Sequence, residues 1–155
     1  MWATSITIYQ NRAFRQKAYG MLIFKLDRCP IYSTLGLMGI IKKVIIYTTT
    51  SNKKPFIEWQ TNLDTASKSI IINRIDKAIE TGHFGDCKLI EGAKKLWEMR
   101  IHYGPGYRIY FGRAKLAIIV ILLGGSKGTQ SKDISKAKKY WQSYTKENSW
   151  LKENT

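Results

Sequence analysis

Histidine, cysteine and acidic residues are scarce in this chain of 155 residues. The two cysteines, Cys29 and Cys87, are too few for a disulfide framework and lack the paired spacing of metal ligands. With only His83 and His102 besides, a zinc site is not expected, and we expect no cofactor and metal-independent chemistry. The longest apolar run, residues 116–123, is too short to span a bilayer. No secretory signal pattern is visible at the N-terminus, so we expect a cytoplasmic protein with no membrane partner.

Negative charge is also in short supply. The chain has 11 Asp and Glu against 26 Lys and Arg, a formal net charge of +15. The remaining composition, 44% hydrophobic and 24% charged, is that of one globular domain with a real core. So large an excess of positive charge predicts a polyanionic partner, most often nucleic acid, or an acidic protein.

Residues 96–111 read as two strands around a Gly-Pro-Gly turn, because apolar and polar residues alternate with period two on both sides. A three-residue loop, Gly104 to Gly106, would pair Ile101 with Ile109 and give each sheet face one character. That register is our prediction, and it places four polar side chains on one face: Arg100, His102, Arg108 and Tyr110. The alternative is an ordinary solvated strand face.

The segment before this hairpin predicts one strand and two helices. Residues 44–49 are mostly β-branched, as in a strand. Pro55 suits the first position of a short helix, and Asp64 with Thr65 caps a second helix that ends at Gly82. We expect the two helices to form an antiparallel hairpin.

The rest of the chain completes the predicted fold. A short strand over residues 87–90 precedes the hairpin, and residues 116–123 predict a strand buried on both faces in the middle of the sheet. A last helix is predicted from about Ser131 to Tyr144. The order predicts an α+β fold: a two-helix hairpin packed on a small, mostly antiparallel β-sheet, with a C-terminal helix.

Three regions are predicted along the chain. Residues 1–37 show no periodic pattern, and Met38 would make a sensible start for a compact domain. We therefore interpret 1–37 as an N-terminal extension, of the kind that an upstream start codon produces. The folded domain is assigned to 38–147, and 148–155 form a C-terminal tail.

Four segments of that domain together resemble the RelE/ParE toxin superfamily: Pro55-Phe56-Ile57-Glu58-Trp59, His83-Phe84-Gly85-Asp86, residues 98–111 and residues 123–134. Within the superfamily, the chain is most similar to the addiction module killer proteins, which are related to HigB toxins. The resemblance covers roughly residues 42–145, and its specific part is the hairpin combined with the Gly-Lys-Gln loop. It implies a RelE-like fold and a toxin of a type II toxin–antitoxin system, neutralised by a cognate antitoxin protein.

The resemblance also implies a target and a site. The RelE and HigB branches are mRNA interferases, endoribonucleases that inhibit translation by cleaving mRNA in the ribosomal A site, whereas the ParE branch poisons DNA gyrase. The basic positions of the family pattern fall at Arg100, Arg108 and Lys127. The C-terminal tyrosine of the founding RelE toxins has no match, since Asp133 and Ile134 stand nearest in the alignment.

Metal-free RNA cleavage needs a base for the 2′-hydroxyl, cations for the phosphorane and an acid for the 5′-oxygen. Arginine matches phosphate oxygens with its fork, and His102 titrates near neutrality in its free form. Two neighbouring arginines would favour its neutral imidazole and hence a base. The candidate catalytic residues are Arg100, His102, Arg108 and Lys127, with Arg108 expected on the surface. The alternatives are that His102 is a plain polar strand residue and that Lys127 is a solvated loop lysine.

Three functions therefore stay open. The first is a ribosome-dependent mRNA endonuclease. The second is a ParE-like toxin that poisons gyrase without nuclease activity. The third is a basic nucleic-acid-binding module. The cluster of arginines and His102 favours the first.

Overall fold

The computed structural model describes residues 43–115 and 118–148. The predicted extension, residues 1–37, and most of the predicted tail lie outside the described residues. The elements are β1 (Lys43–Ile46), α1 (Pro55–Thr61), α2 (Thr65–Thr81), β2 (Cys87–Leu89), β3 (Leu96–Ile101), β4 (Tyr107–Lys115), β5 (Ile118–Ser126) and α3 (Gln130–Glu147), with one 3-10 turn over Lys127–Thr129. This is the predicted α+β class, with a C-terminal helix. In the described ranges, no helix combines the length and apolar character needed to cross a membrane.

The five strands form one mixed sheet in the order β1-β5-β4-β3-β2. β1 runs parallel to β5, and the other three pairings are antiparallel. The apolar run gives β5, which is buried along most of its length. It lies between β1 and β4, so β4 rather than β5 is the central strand; Leu116 and Ala117 fall outside the described residues.

A separate apolar core covers each face of the sheet. On one face, α1 and α2 contribute Phe56 and Ile71, which join a core that includes Ile121 of β5. On the other face, Trp141 of α3 packs in a core that includes Leu122. The sheet is therefore the middle layer between two helical layers, and this explains why β5 is apolar at consecutive positions.

The helix ends follow the predicted signals. Pro55 is the first residue of α1, and Gly82 ends α2 with a left-handed φ of 69°. At the start of α2, the Asp64 carboxylate accepts hydrogen bonds from the Ser67 amide at 2.9 Å and the Ser67 hydroxyl at 2.5 Å. These bonds stabilise the ionised carboxylate and lower the pKa of Asp64. The Ser67 hydroxyl also lies 3.0 Å from the Tyr107 hydroxyl, which connects this cap to the sheet.

Two glycines allow the helices to approach the sheet closely. A side chain at Gly124 would overlap the ring of Trp59 from α1, and one at Gly112 would overlap the ring of Trp141 from α3. Each indole therefore lies directly on the strand backbone. The layers could not keep this spacing with any larger residue at either position.

The register between β3 and β4 differs from the predicted one. Ile101 pairs with Tyr107 rather than Ile109, and Arg100 pairs with Arg108. The loop has five residues, His102 to Gly106, because the Tyr103 amide donates to the Ile101 carbonyl at 2.9 Å and draws the chain out of the ladder. The shift is by two residues and leaves the faces unchanged, since side chains alternate with period two.

Candidate active site

A polar cluster interrupts the core on the α3 side of the sheet, near the hairpin turn. Its members, which we call the Glu98 cluster, are Glu98, Arg100, Arg108, Tyr110, Gln130 and Asp133. Glu98 and Arg100 come from β3, Arg108 and Tyr110 from β4, and the other two from the first turn of α3. Period-two alternation brings the four strand residues to one face, and the direction of α3 brings its first turn over them.

Glu98 is the centre of this cluster. It is 1% exposed, and each of its carboxylate oxygens accepts a hydrogen bond from Gln130 Nε2, at 3.1 and 3.0 Å. Arg100 Nε donates to Oε1 at 3.3 Å. Arg108 Nε lies 3.1 Å from the same oxygen. A buried carboxylate is tolerated only when cations and donors surround it, as they do here.

Arg108 is mostly buried, and its expected surface position is therefore wrong. Its side chain is 11% exposed, and its contact with Glu98 is an ion pair rather than an aligned hydrogen bond. Among the described residues, its Nε–H has no hydrogen-bond acceptor in line. The reason for the burial is the position of Arg108 on the central strand, opposite Gly125 and beneath the start of α3. Arg108 thus has a structural role in neutralising Glu98.

Arg100 and His102 meet at a second carboxylate, Asp86. The Arg100 amide donates to the Asp86 carbonyl at 2.8 Å, and the Arg100 guanidinium lies 3.8 Å from its carboxylate. The His102 Nε2 lies 2.7 Å from Asp86 Oδ2. The expected arrangement, with two arginines beside the imidazole, is therefore replaced by a histidine–carboxylate pair. The His102 side chain is 77% exposed, so the ring remains accessible from solvent.

The Asp86 contact decides which nitrogen of His102 is available. A neutral ring that donates from Nε2 to the carboxylate leaves the Nδ1 lone pair directed away from Asp86. Such a ring can accept a proton at Nδ1. The carboxylate also orients the ring.

Lys127 lies at the same end of the sheet. It begins the 3-10 turn after β5, and its amide donates to the Gly106 carbonyl at 2.9 Å. This bond joins the end of β5 to the turn of the β3–β4 hairpin. The Lys127 side chain is exposed there, while Gly106 adopts a left-handed φ of 75° that a side chain would strain.

Asp133 and Tyr110 complete the buried side of the cluster. Asp133 is 7% exposed, accepts from the Thr129 hydroxyl and packs against Gly125, where a side chain would collide with it. Tyr110 is fully buried, and its hydroxyl has no hydrogen-bond partner in the described ranges. Burial, and next the Glu98 charge, raise the pKa of the Tyr110 phenol, so it stays protonated.

The structure therefore brings the four predicted residues to one end of the sheet, where Arg100, His102 and Arg108 contact two carboxylates and Lys127 lies beside the hairpin turn. Glu98, Asp86, Gln130 and Asp133 were not predicted as site residues. Glu98 carried one readable signal: it lies two residues before Arg100, on the same face of a strand whose other neighbours are apolar. Asp86 carried none, because its position depends on how the chain enters β2.

These features define a class of protein: a small, basic α+β chain with an arginine–carboxylate cluster at one end of a mixed sheet. No family model matches the chain. No solved structure matches it either. Among curated proteins, the chain is 36% identical over 83 residues to an uncharacterized protein of Haemophilus influenzae, a match that covers 54% of this chain and 82% of that protein. The chain belongs to the same family as this Haemophilus protein.

Proposed function

We propose that this chain is the toxin of a type II toxin–antitoxin system, a RelE-like mRNA interferase that inhibits translation in the cytoplasm by cleaving ribosome-bound mRNA. The observation that supports this most directly is the pairing of Arg100 with Arg108 across β3 and β4. His102, two residues after Arg100, forms an exposed pair with Asp86, and Lys127 lies beside the hairpin turn. The proposed base, cations and acid thus occupy one end of the sheet.

Each group fits one step of metal-free cleavage. His102 Nδ1 accepts the proton of the 2′-hydroxyl, whose oxygen attacks phosphorus and forms a 2′,3′-cyclic phosphate. Arg100, 29% exposed, stabilises the phosphorane oxygens. Lys127 supplies the proton to the departing 5′-oxygen. Arg108 acts from below by sharing the neutralisation of Glu98 with Arg100.

The proposed RelE-like fold includes the antiparallel hairpin of α1 and α2. Only residues 62–64 separate the two helices. Phe56 of α1 and Ile71 of α2 pack in the same core against one sheet face. A short connection and a shared core favour neighbouring antiparallel helices.

The proposed partners are mRNA, the ribosome and a cognate antitoxin protein. The net charge of +15 supports an acidic or amphipathic antitoxin segment on the basic surface. Binding of such a segment should weaken steeply as salt rises, because exposed charges are screened. Binding that does not change with salt would point instead to an apolar interface.

The test is to map new RNA 5′ ends after expression of the protein, and in vitro with and without ribosomes. We expect cleavage only with ribosomes, and its loss in Arg100→Ala. His102→Gln should slow cleavage by about 10²–10⁴-fold, the usual contribution of a general base. Lys77→Ala, an exposed lysine on α2, is the matched control and should cleave normally. Normal cleavage by Arg100→Ala would contradict the proposed site.

A gyrase-poisoning toxin without nuclease activity is the second candidate. The observation that favours it is the engagement of both arginines with carboxylates, an arrangement that is stable without any substrate. This candidate predicts no new RNA ends and an inhibited supercoiling reaction with purified gyrase. A basic nucleic-acid-binding module, the third candidate, predicts neither effect.

A further inference from the structure

A second basic surface lies at the other end of the β3–β4 hairpin, away from the Glu98 cluster. It is a groove of about 410 Å³ between the turn that precedes β3 and the side of α3. Its cationic lining residues are Lys94, Lys95, Arg113 and Lys138, and none of the residues that line it is acidic. We call it the Lys95 groove.

The backbone holds these cations in place. The Lys94 carbonyl accepts from Trp141 Nε1 at 2.9 Å, which ties the turn to α3. The Lys95 carbonyl accepts from the Arg113 amide at 2.8 Å, which ties it to β4. The Lys138 ammonium lies close to Gly92 of the same turn. Three elements therefore bring four positive charges to one groove.

Lys95 has an unusual backbone conformation. Its φ is 60°, a left-handed value that favours glycine and is strained for a lysine. Strained residues of this kind concentrate at functional sites, where the side chain is needed. The Lys95 side chain is exposed, so packing gives no reason for a side chain at this position.

We propose that the Lys95 groove binds the phosphate backbone of a single-stranded nucleic acid. Phosphates require cations and donors and no apolar pocket, and the groove offers lysines, Arg113 and the amide of Gln142. An acidic peptide is the less favoured occupant, because stable peptide binding depends on apolar anchors in pockets. The one aromatic ring in the lining, Trp141, is only 6% exposed and offers no such pocket.

The groove is distinct from the candidate active site. Lys95 and Arg113 lie five strand positions from Arg100 and Arg108, about 17 Å at the usual rise of a strand. The inference does not depend on the proposed cleavage, since a backbone-binding groove is equally compatible with any of the three candidate functions. It must therefore be tested with a nucleic acid that cannot be cleaved.

The experiment measures binding of a fluorescent oligothymidine, which lacks the 2′-hydroxyl, between about 50 and 200 mM salt. The variant is Lys94→Ala with Lys95→Gly, and the matched control is Lys53→Ala with Lys77→Ala, which removes the same charge from exposed positions before α1 and on α2. Each lost phosphate contact reduces the magnitude of the negative slope of log K against log salt by about 0.7. We expect the groove variant to reduce the magnitude of this slope by about 1.4 and to weaken binding about 25-fold at 0.1 M salt.

Stability separates this effect from misfolding. Glycine relieves the strain at position 95, so the groove variant should melt at the parent temperature or above while it binds less. Lys138→Ala, at a half-buried position of α3, is a second variant and should lose about one contact. Equal weakening by the groove and control variants would overturn the proposal, since only net charge would then matter. The proposal would also be overturned if the groove variant lost more affinity for a polyglutamate peptide than for oligothymidine.

Discussion

The ion pair of Glu98 and Arg108 provides the sharpest test of the structure. Glu98 is 1% exposed and Arg108 9%, so neither charge is solvated in the folded chain. Glu98→Gln preserves the shape but leaves Arg108 buried without its carboxylate. Breaking one side of a buried pair costs about 3–5 kcal/mol. We expect about 3 kcal/mol for Glu98→Gln, and less for Arg108→Gln, because Glu98 keeps Arg100 and Gln130 as partners.

The assay is a double-mutant cycle by urea and thermal unfolding. The single variants and Glu98→Gln/Arg108→Gln should show a coupling free energy of about 1–2 kcal/mol. A loss of 3 kcal/mol lowers the melting temperature by about 10 °C in a chain of this size. Arg100→Gln is the internal comparison: its side chain is 29% exposed, so its pair should contribute at most about 1 kcal/mol.

Two results would refute this reasoning. If the effects of Glu98→Gln and Arg108→Gln add within about 0.5 kcal/mol, the two groups do not interact in the folded protein. If Arg108→Gln leaves stability unchanged, Arg108 is the surface residue that its sequence context predicts, and the burial of the cluster is wrong. The stability measurements also show which variants stay folded, and only those variants can report on catalysis.

The remaining predictions concern the α2 cap, the close approach of α1 and the buried phenol. The hydrogen-bonded Asp64 has a lowered pKa, so its stabilisation of the fold is present above the ordinary carboxyl pKa and is lost as pH falls through the lowered value. Thermal midpoints should therefore drop in acid for the parent but less for Asp64→Asn. Gly124→Ala should lose about 1–3 kcal/mol in urea unfolding, because its methyl group meets Trp59. Gly128→Ala would add only an ordinary contact with the Ser126 hydroxyl and should melt like the parent. Tyr110→Phe removes a hydroxyl without a partner in the described structure and should be neutral or stabilising. Since the raised pKa makes folding less favourable as pH rises above the ordinary phenol value, that variant should also resist alkaline unfolding better than the parent.

Local signals in the sequence were enough to predict most of the elements. Pro55, Asp64 and Gly82 act within one or two turns of chain, and each stands where the structure begins or ends a helix. The period-two alternation of 96–111 predicted a hairpin and its polar face for the same reason, because a strand alone decides which side chains share a face. The last helix runs longer than predicted, from Gln130 to Glu147, since its ends carry weaker signals.

The register of the hairpin was beyond the reach of that reasoning. A shift by two residues leaves both faces unchanged, so hydrophobic pattern cannot distinguish the three-residue loop from the five-residue one. The hydrogen bonds of Tyr103 and Gly106 within the turn decided it. Consequently His102 left the strand, and its neighbour became Asp86 rather than the two arginines.

What the sequence determined by itself is the α+β class, the order of the elements and the face on which Arg100, Arg108 and Tyr110 lie, because period and capping are properties of neighbouring residues. What only the tertiary structure decided is the environment of those residues. Arg108 is buried because α3 begins above the central strand, and Gln130 of that helix reaches Glu98 from 32 residues away in the chain. The partners of a buried charge depend on which distant segments pack over it, and no local pattern contains that information.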